Sequence, residues 1–195
     1  MAITPTKREL HSQETRKNIV DVAEKLFYQY GYKPVSVKEI AAAAGVTTGA
    51  LYHHFKNKDD LIMAVFQRHD LSFGKLLERF DNSEDPIEDI VVFLSDVMVQ
   101  RIEDDGMEFT QQRVLHLFKF DRVTGFDACL RSLIKRGLEL DCFRPELSED
   151  DLFDCLAAVY RGAVYQYCVS ATPVDLRELT ERRLRLTLEG VALSR

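Results

Sequence analysis

Apolar residues recur along this chain at intervals of three and four, and breaks in that rhythm are few. Ile19, Val20, Ala23, Leu26, Phe27 and Tyr30 predict a first helix starting near Ser12 or Gln13 and closed by Gly31, with Pro34 preventing its resumption. Ser36 and Glu39 form a capping-box pattern that opens a short second helix to about Ala43. Gly45 permits a turn with positive φ, and Thr47 caps a third helix running to about His54. Asn57, with Asp60 three residues on, opens a long fourth helix whose stripe is Ile62, Phe66, His69, Phe73, Leu76 and Phe80. The polar run before Pro86 breaks it. Further helices are expected over about Pro86–Glu103, Thr110–Phe120, Phe126–Leu140, Ser148–Ser170 and Pro173–Ala192. The pattern predicts an all-α chain of about nine helices: a flexible polar arm over 1–11, a three-helix head over 12–58 and a helical body over 59–195.

Composition supports this reading. The 195 residues are 46% hydrophobic with only nine glycines and five prolines, enough for a core and poor in turns. No apolar run approaches a membrane span and the first residues lack an apolar signal region, so a cytoplasmic location is expected. Cys129, Cys142, Cys155 and Cys168 contain no Cys-x-x-Cys pair, so neither a metal site nor a redox motif is expected, and no cofactor. The net charge of −6 at first argues against a polyanionic partner. Its distribution reverses that. Residues 1–58 hold nine Lys and Arg against five Asp and Glu, a net +4, while the remainder carries −10. Such an asymmetry orients the head toward a polyanion.

The second and third helices have the features of a helix-turn-helix, which sets its second helix in the major groove with N-terminal residues against base edges. Ala41 and Gly45 allow the close, sharp turn. Thr47, Thr48, Tyr52, His53 and His54 supply polar groups: threonine hydroxyls for bases or phosphates, their methyls for thymine, and the Tyr52 hydroxyl for a phosphate. Gly49 would let the backbone come close. Ser36 and Lys38, at the head of the second helix, and Lys56 and Lys58, after the third, complete the candidate DNA-contacting set. Leu51 and Phe55 are read as core. Tyr52 as a packed aromatic, and His53 and His54 as solvated imidazoles, are the plainer alternatives.

Residues 12–60 resemble the DNA-binding domain of the TetR family of bacterial regulators. The resemblance rests on Thr15-Arg16-x-x-Ile19, Ala23-x-x-Leu26-Phe27 and Gly31-Tyr32, then on Val37-x-x-Ile40-Ala41-x-x-Ala44-Gly45-Val46. Its most specific block is Leu51-Tyr52-His53-His54-Phe55-Lys56-Asn57-Lys58-x-x-Leu61. The length and the helical remainder fit as well. The resemblance implies a dimeric repressor reading a near-palindromic operator. It places Thr47, Thr48, Gly49, Tyr52 and His54 at recognition contacts and Lys58 at a phosphate-binding lysine. Ala50 departs from the family, where many members carry threonine.

For the body, the resemblance implies that the last two helices pair with those of a second copy. Leu152, Leu156, Val159, Gly162, Ala163, Leu184, Leu188 and Val191 are the expected interface. It also implies an effector pocket among the middle helices, for which Phe66, His69, Phe73, Phe93, Met98, Met107, His116, Phe120, Leu133 and Tyr160 are the candidates. Their aromatic and methionine content suits a hydrophobic or aromatic small molecule. Effector binding would tilt the fourth helix and respace the heads, releasing DNA. Two competing readings are a regulator controlled by a protein partner or acting as an activator, and a helical metal-dependent enzyme using His69, His116, Glu103 or Asp121. No catalytic or metal-binding motif supports the latter.

Overall fold

The computed structural model describes residues 6–70, 73–81, 83–117 and 125–193. Regular structure among them is helical, apart from one antiparallel bridge between Phe143 and Ala192. The chain divides into two compact units, Met1–His69 and Asp70–Arg195, so the boundary falls about a dozen residues later than the sequence suggests.

The first unit holds α1 (Lys7–Tyr30), α2 (Val37–Ala43), α3 (Thr48–His54) and nearly all of α4 (Lys58–Asp70). Helix α1 starts at Lys7, five residues before the expected Ser12, so residues 7–11 are not a loose arm. Thr6 caps it: its hydroxyl accepts from the Glu9 N–H at 3.3 Å, and the Glu9 carboxylate accepts from the Thr6 N–H at 2.7 Å. These first turns are exposed on all sides, so no apolar stripe announces them.

The core of this unit is Ile19, Ala23 and Phe27 of α1, Ile40 and Ala41 of α2, Leu51 of α3, Phe55, and Leu61, Ile62 and Val65 of α4. Each large side chain buried here contributes about 1.5–3 kcal/mol. Tyr30, expected inward, is exposed.

The second unit is built around one long helical run. Asp85 caps α6 (Pro86–Val92), accepting from the N–H groups of Ile87 and Glu88 at 3.1 Å each. The run passes through a wide π turn over Phe93–Val97 into α7 (Met98–Asp105). The predicted fifth helix is therefore present with a widened middle. Gly106, at φ 79°, ends it, and α8 (Met107–Leu117) starts three residues earlier than expected. Before it lie α5 (Phe73–Leu77) and a 3-10 turn at Glu78–Phe80. After it come α9 (Gly125–Glu139), α10 (Glu149–Val169) and α11 (Leu176–Val191).

A ladder of rings, Phe80, Phe93, Phe126 and Tyr160, runs through this core with successive centroids 6.5, 5.9 and 5.2 Å apart. Asp141 closes α9 at φ 50°, with the Cys142 N–H reaching the Gly137 carbonyl at 2.8 Å and the Asp141 N–H reaching that of Leu138 at 3.2 Å. The chain then pairs with the end of α11, Arg144 N–H to Val191 O at 3.0 Å and Leu193 N–H to Cys142 O at 2.9 Å. Phe143 packs directly on Gly137, where an added Cβ would sit 2.5 Å from its ring.

Most of the expected dimer residues belong to this core. Leu152, Leu156 and Ala163 of α10 and Leu184 and Leu188 of α11 are buried within the monomer, while Val159 and Val191 are half-buried and Gly162 is exposed. Helix α10 has apolar groups all round, and periodicity cannot tell which stripe packs inside the chain. The stripe left open on α10 is Ala158, Gly162, Tyr165 and Val169, of which Tyr165 and Val169 are 56% and 58% exposed; on α11, Leu186 is 63% exposed.

Candidate nucleic-acid interface

The turn between α2 and α3 is a Schellman motif. The Gly45 N–H bonds the Ala42 carbonyl at 3.2 Å, the Val46 N–H bonds that of Ala41 at 3.0 Å, and Gly45 sits at φ 69°. The Ala44 carbonyl accepts from the Asn18 side-chain amide at 2.9 Å, which fixes the turn to α1. The capping box read from Ser36 and Glu39 is present: the Ser36 hydroxyl accepts from the Glu39 N–H at 3.2 Å, and the Glu39 carboxylate accepts from the Ser36 N–H at 2.7 Å. Leu51 and Phe55 are buried, so they lock the inner face of α3 and leave the opposite face outward.

The outward groups differ in how much bonding capacity they retain. Thr47 is the N-cap of α3, and its hydroxyl accepts from the Ala50 N–H at 3.1 Å. Its own O–H proton is still available to a partner. Thr48, half-exposed, and Tyr52, 51% exposed, have hydroxyls with no hydrogen bond among the described residues. A methyl group at Gly49 would meet nothing closer than the Thr47 hydroxyl at 3.9 Å, so internal packing does not require glycine there. His53 is exposed. His54 is half-buried, its ring edge-on to His53 at 5.4 Å. Burial, helped by the charges of His53 and Arg16, holds the His54 imidazole below the usual histidine range. Arg16 lies over the Phe55 ring at 4.9 Å, bringing a cation from α1 to the end of α3. Ser36, Lys38 and Lys56 are exposed at the edges of this surface.

Lys58 lies beside the loop that follows α1. Its ammonium donates to the Tyr32 carbonyl and, at 3.3 Å, to that of Lys33, and lies 4.2 Å from the Tyr32 ring centre. The Tyr32 hydroxyl donates to Asp59 at 2.6 Å. Burial first, and then Asp59, push the Tyr32 pKa upward. Asn57 caps α4 as expected, its side chain accepting from the Asp60 N–H at 2.7 Å.

The proposed pocket residues divide as well. Phe93, Met98, Leu133 and Tyr160 are buried in the second unit's core. Phe66 is buried and falls in the first unit. Met107 is exposed at the start of α8. Phe120 lies outside the described residues, as do the side chains of His69, Phe73 and His116. Tyr160 is only 7% exposed, and its hydroxyl has no hydrogen bond among the described residues. The charges of Arg101, Arg113 and Asp105 reach it.

Comparison with known proteins bears directly on this arrangement. Residues 19–65 match the profile of the bacterial regulatory proteins of the tetR family. Along 97% of its length the chain is 30% identical to the HTH-type transcriptional regulator TtgR of Pseudomonas putida, covering 96% of that protein. The chain belongs to the TetR family.

Over 117 residues, 59% of the chain and 54% of the relative, it is also 35% identical to the HTH-type transcriptional regulator AcrR of Shigella flexneri. Among solved structures, SmeT in complex with triclosan superposes with a TM-score of 0.65 at 25% identity, covering 93% of each chain. As a TetR-family protein, the chain is a DNA-binding transcriptional regulator with a helix-turn-helix head, and not an enzyme. None of the described helices is long and apolar enough to cross a membrane. Sequence reasoning missed Arg16, Asn18, Tyr32 and Asp59 as parts of the head's machinery. The Gly31-Tyr32 signature was visible, but it does not say what holds the tyrosine.

Proposed function

We propose that this regulator binds a near-palindromic operator as a homodimer, represses transcription there and is released by a small-molecule effector. The observation that carries the reading is the outward face of α3, where the hydroxyls of Thr48 and Tyr52 are uncommitted beside Gly49. Polar groups left unbonded on a helix held by an N-cap and a buried inner face are suited to meet base edges and phosphates. In this reading Thr48 and Tyr52 contact the operator directly. Thr47 and His53 flank them, and Ser36, Lys38 and Lys56 hold phosphates.

Two-fold symmetry requires a second copy. The open stripe of Ala158, Gly162, Tyr165 and Val169 suits a helix-to-helix interface, because Gly162 allows close approach and the larger residues flank it. The effector reading draws support from SmeT, a relative solved with triclosan. It draws further support from Tyr160, 7% exposed in the second unit's core, whose hydroxyl has no hydrogen bond among the described residues and could bond a polar group on an otherwise apolar molecule.

The test is selection of a duplex from a random pool, followed by binding at several salt concentrations. A palindromic consensus bound by two chains, with affinity falling steeply as salt rises, is expected. Enrichment of no sequence would overturn the reading. Apolar aromatic compounds added to the complex should then release the duplex in the parent protein and less readily in Tyr160→Phe.

A further inference from the structure

We propose that the effector of this protein is an apolar molecule ending in a carboxylate, with Arg101 and Arg113 binding the anion and the Tyr160 hydroxyl donating to it. The proposal deepens the effector reading above and rests on it.

Helices α7, α8, α9 and α10 of the second unit all contribute. Arg101 and Asp105 stand one turn apart on the same face of α7. Gly106 ends that helix, and Arg113 of α8 reaches back to pair with Asp105, whose side chain is only 8% exposed. Arg101 is half-buried. Tyr160 comes in from α10, buried, and the charges of Arg113, Arg101 and Asp105 all reach its hydroxyl. From α9, the Phe126 ring stacks on Tyr160 at 5.2 Å and 23°. Phe93 stacks on Phe126 in turn, at 5.9 Å and 26°. Cys129, buried one turn after Phe126, also feels the charge of Arg101.

The chemistry of this cluster selects a ligand by sign. Burial pushes the Tyr160 pKa up, against the pull of the two arginines, so the phenol keeps its proton at neutral pH. That O–H makes no hydrogen bond among the described residues. Guanidinium groups donate and do not accept. The phenol therefore offers a donor where two positive charges stand against the negative charge of Asp105. An uncharged amide on a ligand answers the phenol alone. A carboxylate answers the phenol with one oxygen and a guanidinium with the other, and charge-assisted bonds of this kind are the strong ones. The stacked rings beside the phenol supply an apolar face for the rest of the molecule. A cationic ligand would meet repulsion from both arginines.

Matched compounds test this on the full-length protein: benzoate, naphthoate and decanoate, each beside its primary amide. Isothermal titration gives the affinities, and anisotropy of the labelled selected duplex reports release. In at least one pair the acid should bind about tenfold to a hundredfold more tightly than the amide, the worth of a hydrogen bond to a charged group. Arg101→Gln keeps a donor and removes the charge, and should shrink that ratio about tenfold. Arg113→Lys keeps a cation opposite Asp105 but loses the planar fork. It should weaken the acid several-fold and leave the amide unchanged. Tyr160→Phe should weaken acid and amide alike. Amides that bind as tightly as acids in every pair and release the duplex would overturn the carboxylate assignment while the effector reading stands. An acid preference unchanged in both Arg101→Gln and Arg113→Lys would overturn it too. If no compound of any pair binds, the proposal falls, and release of the duplex by other apolar compounds decides the effector reading separately.

Discussion

Thr47 does two jobs that substitution can separate. Its hydroxyl caps α3 by accepting from the Ala50 N–H at 3.1 Å, and the residue stands at the edge of the proposed DNA surface. Thr47→Ala removes the cap, a loss of about 1 kcal/mol. That is about 2–4 °C in midpoint if the chain unfolds as one unit. Thr47→Asp keeps a capping oxygen and adds a negative charge at the positive end of the helix, so stability should stay within about 0.5 kcal/mol of the parent. The same carboxylate would stand near the operator backbone. At about 5 Å from a phosphate and an effective dielectric of about 20, the repulsion is about 3 kcal/mol, on the order of a hundredfold in affinity per head. Thermal unfolding and fluorescence anisotropy on the selected duplex measure the two effects side by side. Full stability with binding nearly abolished is the expected result for Thr47→Asp. Undiminished binding would show that the start of α3 faces away from DNA, and full stability in Thr47→Ala would refute the capping argument.

Other consequences follow from particular contacts. Gly137→Ala drives a methyl group to 2.5 Å from the buried Phe143 ring, and overpacking of this kind costs about 1–3 kcal/mol. That outweighs the roughly 1 kcal/mol gained in helix propensity, so a lower unfolding midpoint is expected, and a rise would contradict the packing. Burial holds the folded-state pKa of His54 below the usual value of 6.5. The head should therefore be most stable above pH 6.5 and lose stability as pH falls below it, and His54→Gln should flatten that loss in urea titrations. Tyr165→Arg, on the open stripe of α10, should yield monomers in sedimentation. Leu156→Ala, in the core, should instead cost about 2–5 kcal/mol of stability.

Capping and turn chemistry made the head legible from sequence. Ser36 with Glu39, Gly45, Thr47 and Asn57 each mark a boundary by a local mechanism, and each mechanism is present. The start of α1 escaped because its first turns bury nothing. The surroundings of Lys58 were illegible for a different reason. A lysine beside a DNA-binding helix reads as a phosphate clamp, and only three-dimensional proximity reveals that Tyr32, 26 positions earlier, has already engaged it. On α10 the limit is geometric: neighbouring helix positions differ by about 100°, so on a helix apolar all round, one step separates core from surface. Ala157 is buried, and Ala158, the next residue, is exposed.

The central claim is that the outward face of α3 reads DNA on behalf of two chains. Sedimentation of the protein with its selected duplex, in parent and Thr48→Ala forms, tests it most directly. The account predicts two chains per duplex for the parent, and for Thr48→Ala a loss of discrimination between the selected and scrambled duplexes with the salt slope preserved. One chain per duplex, or equal discrimination in the two proteins, would contradict it.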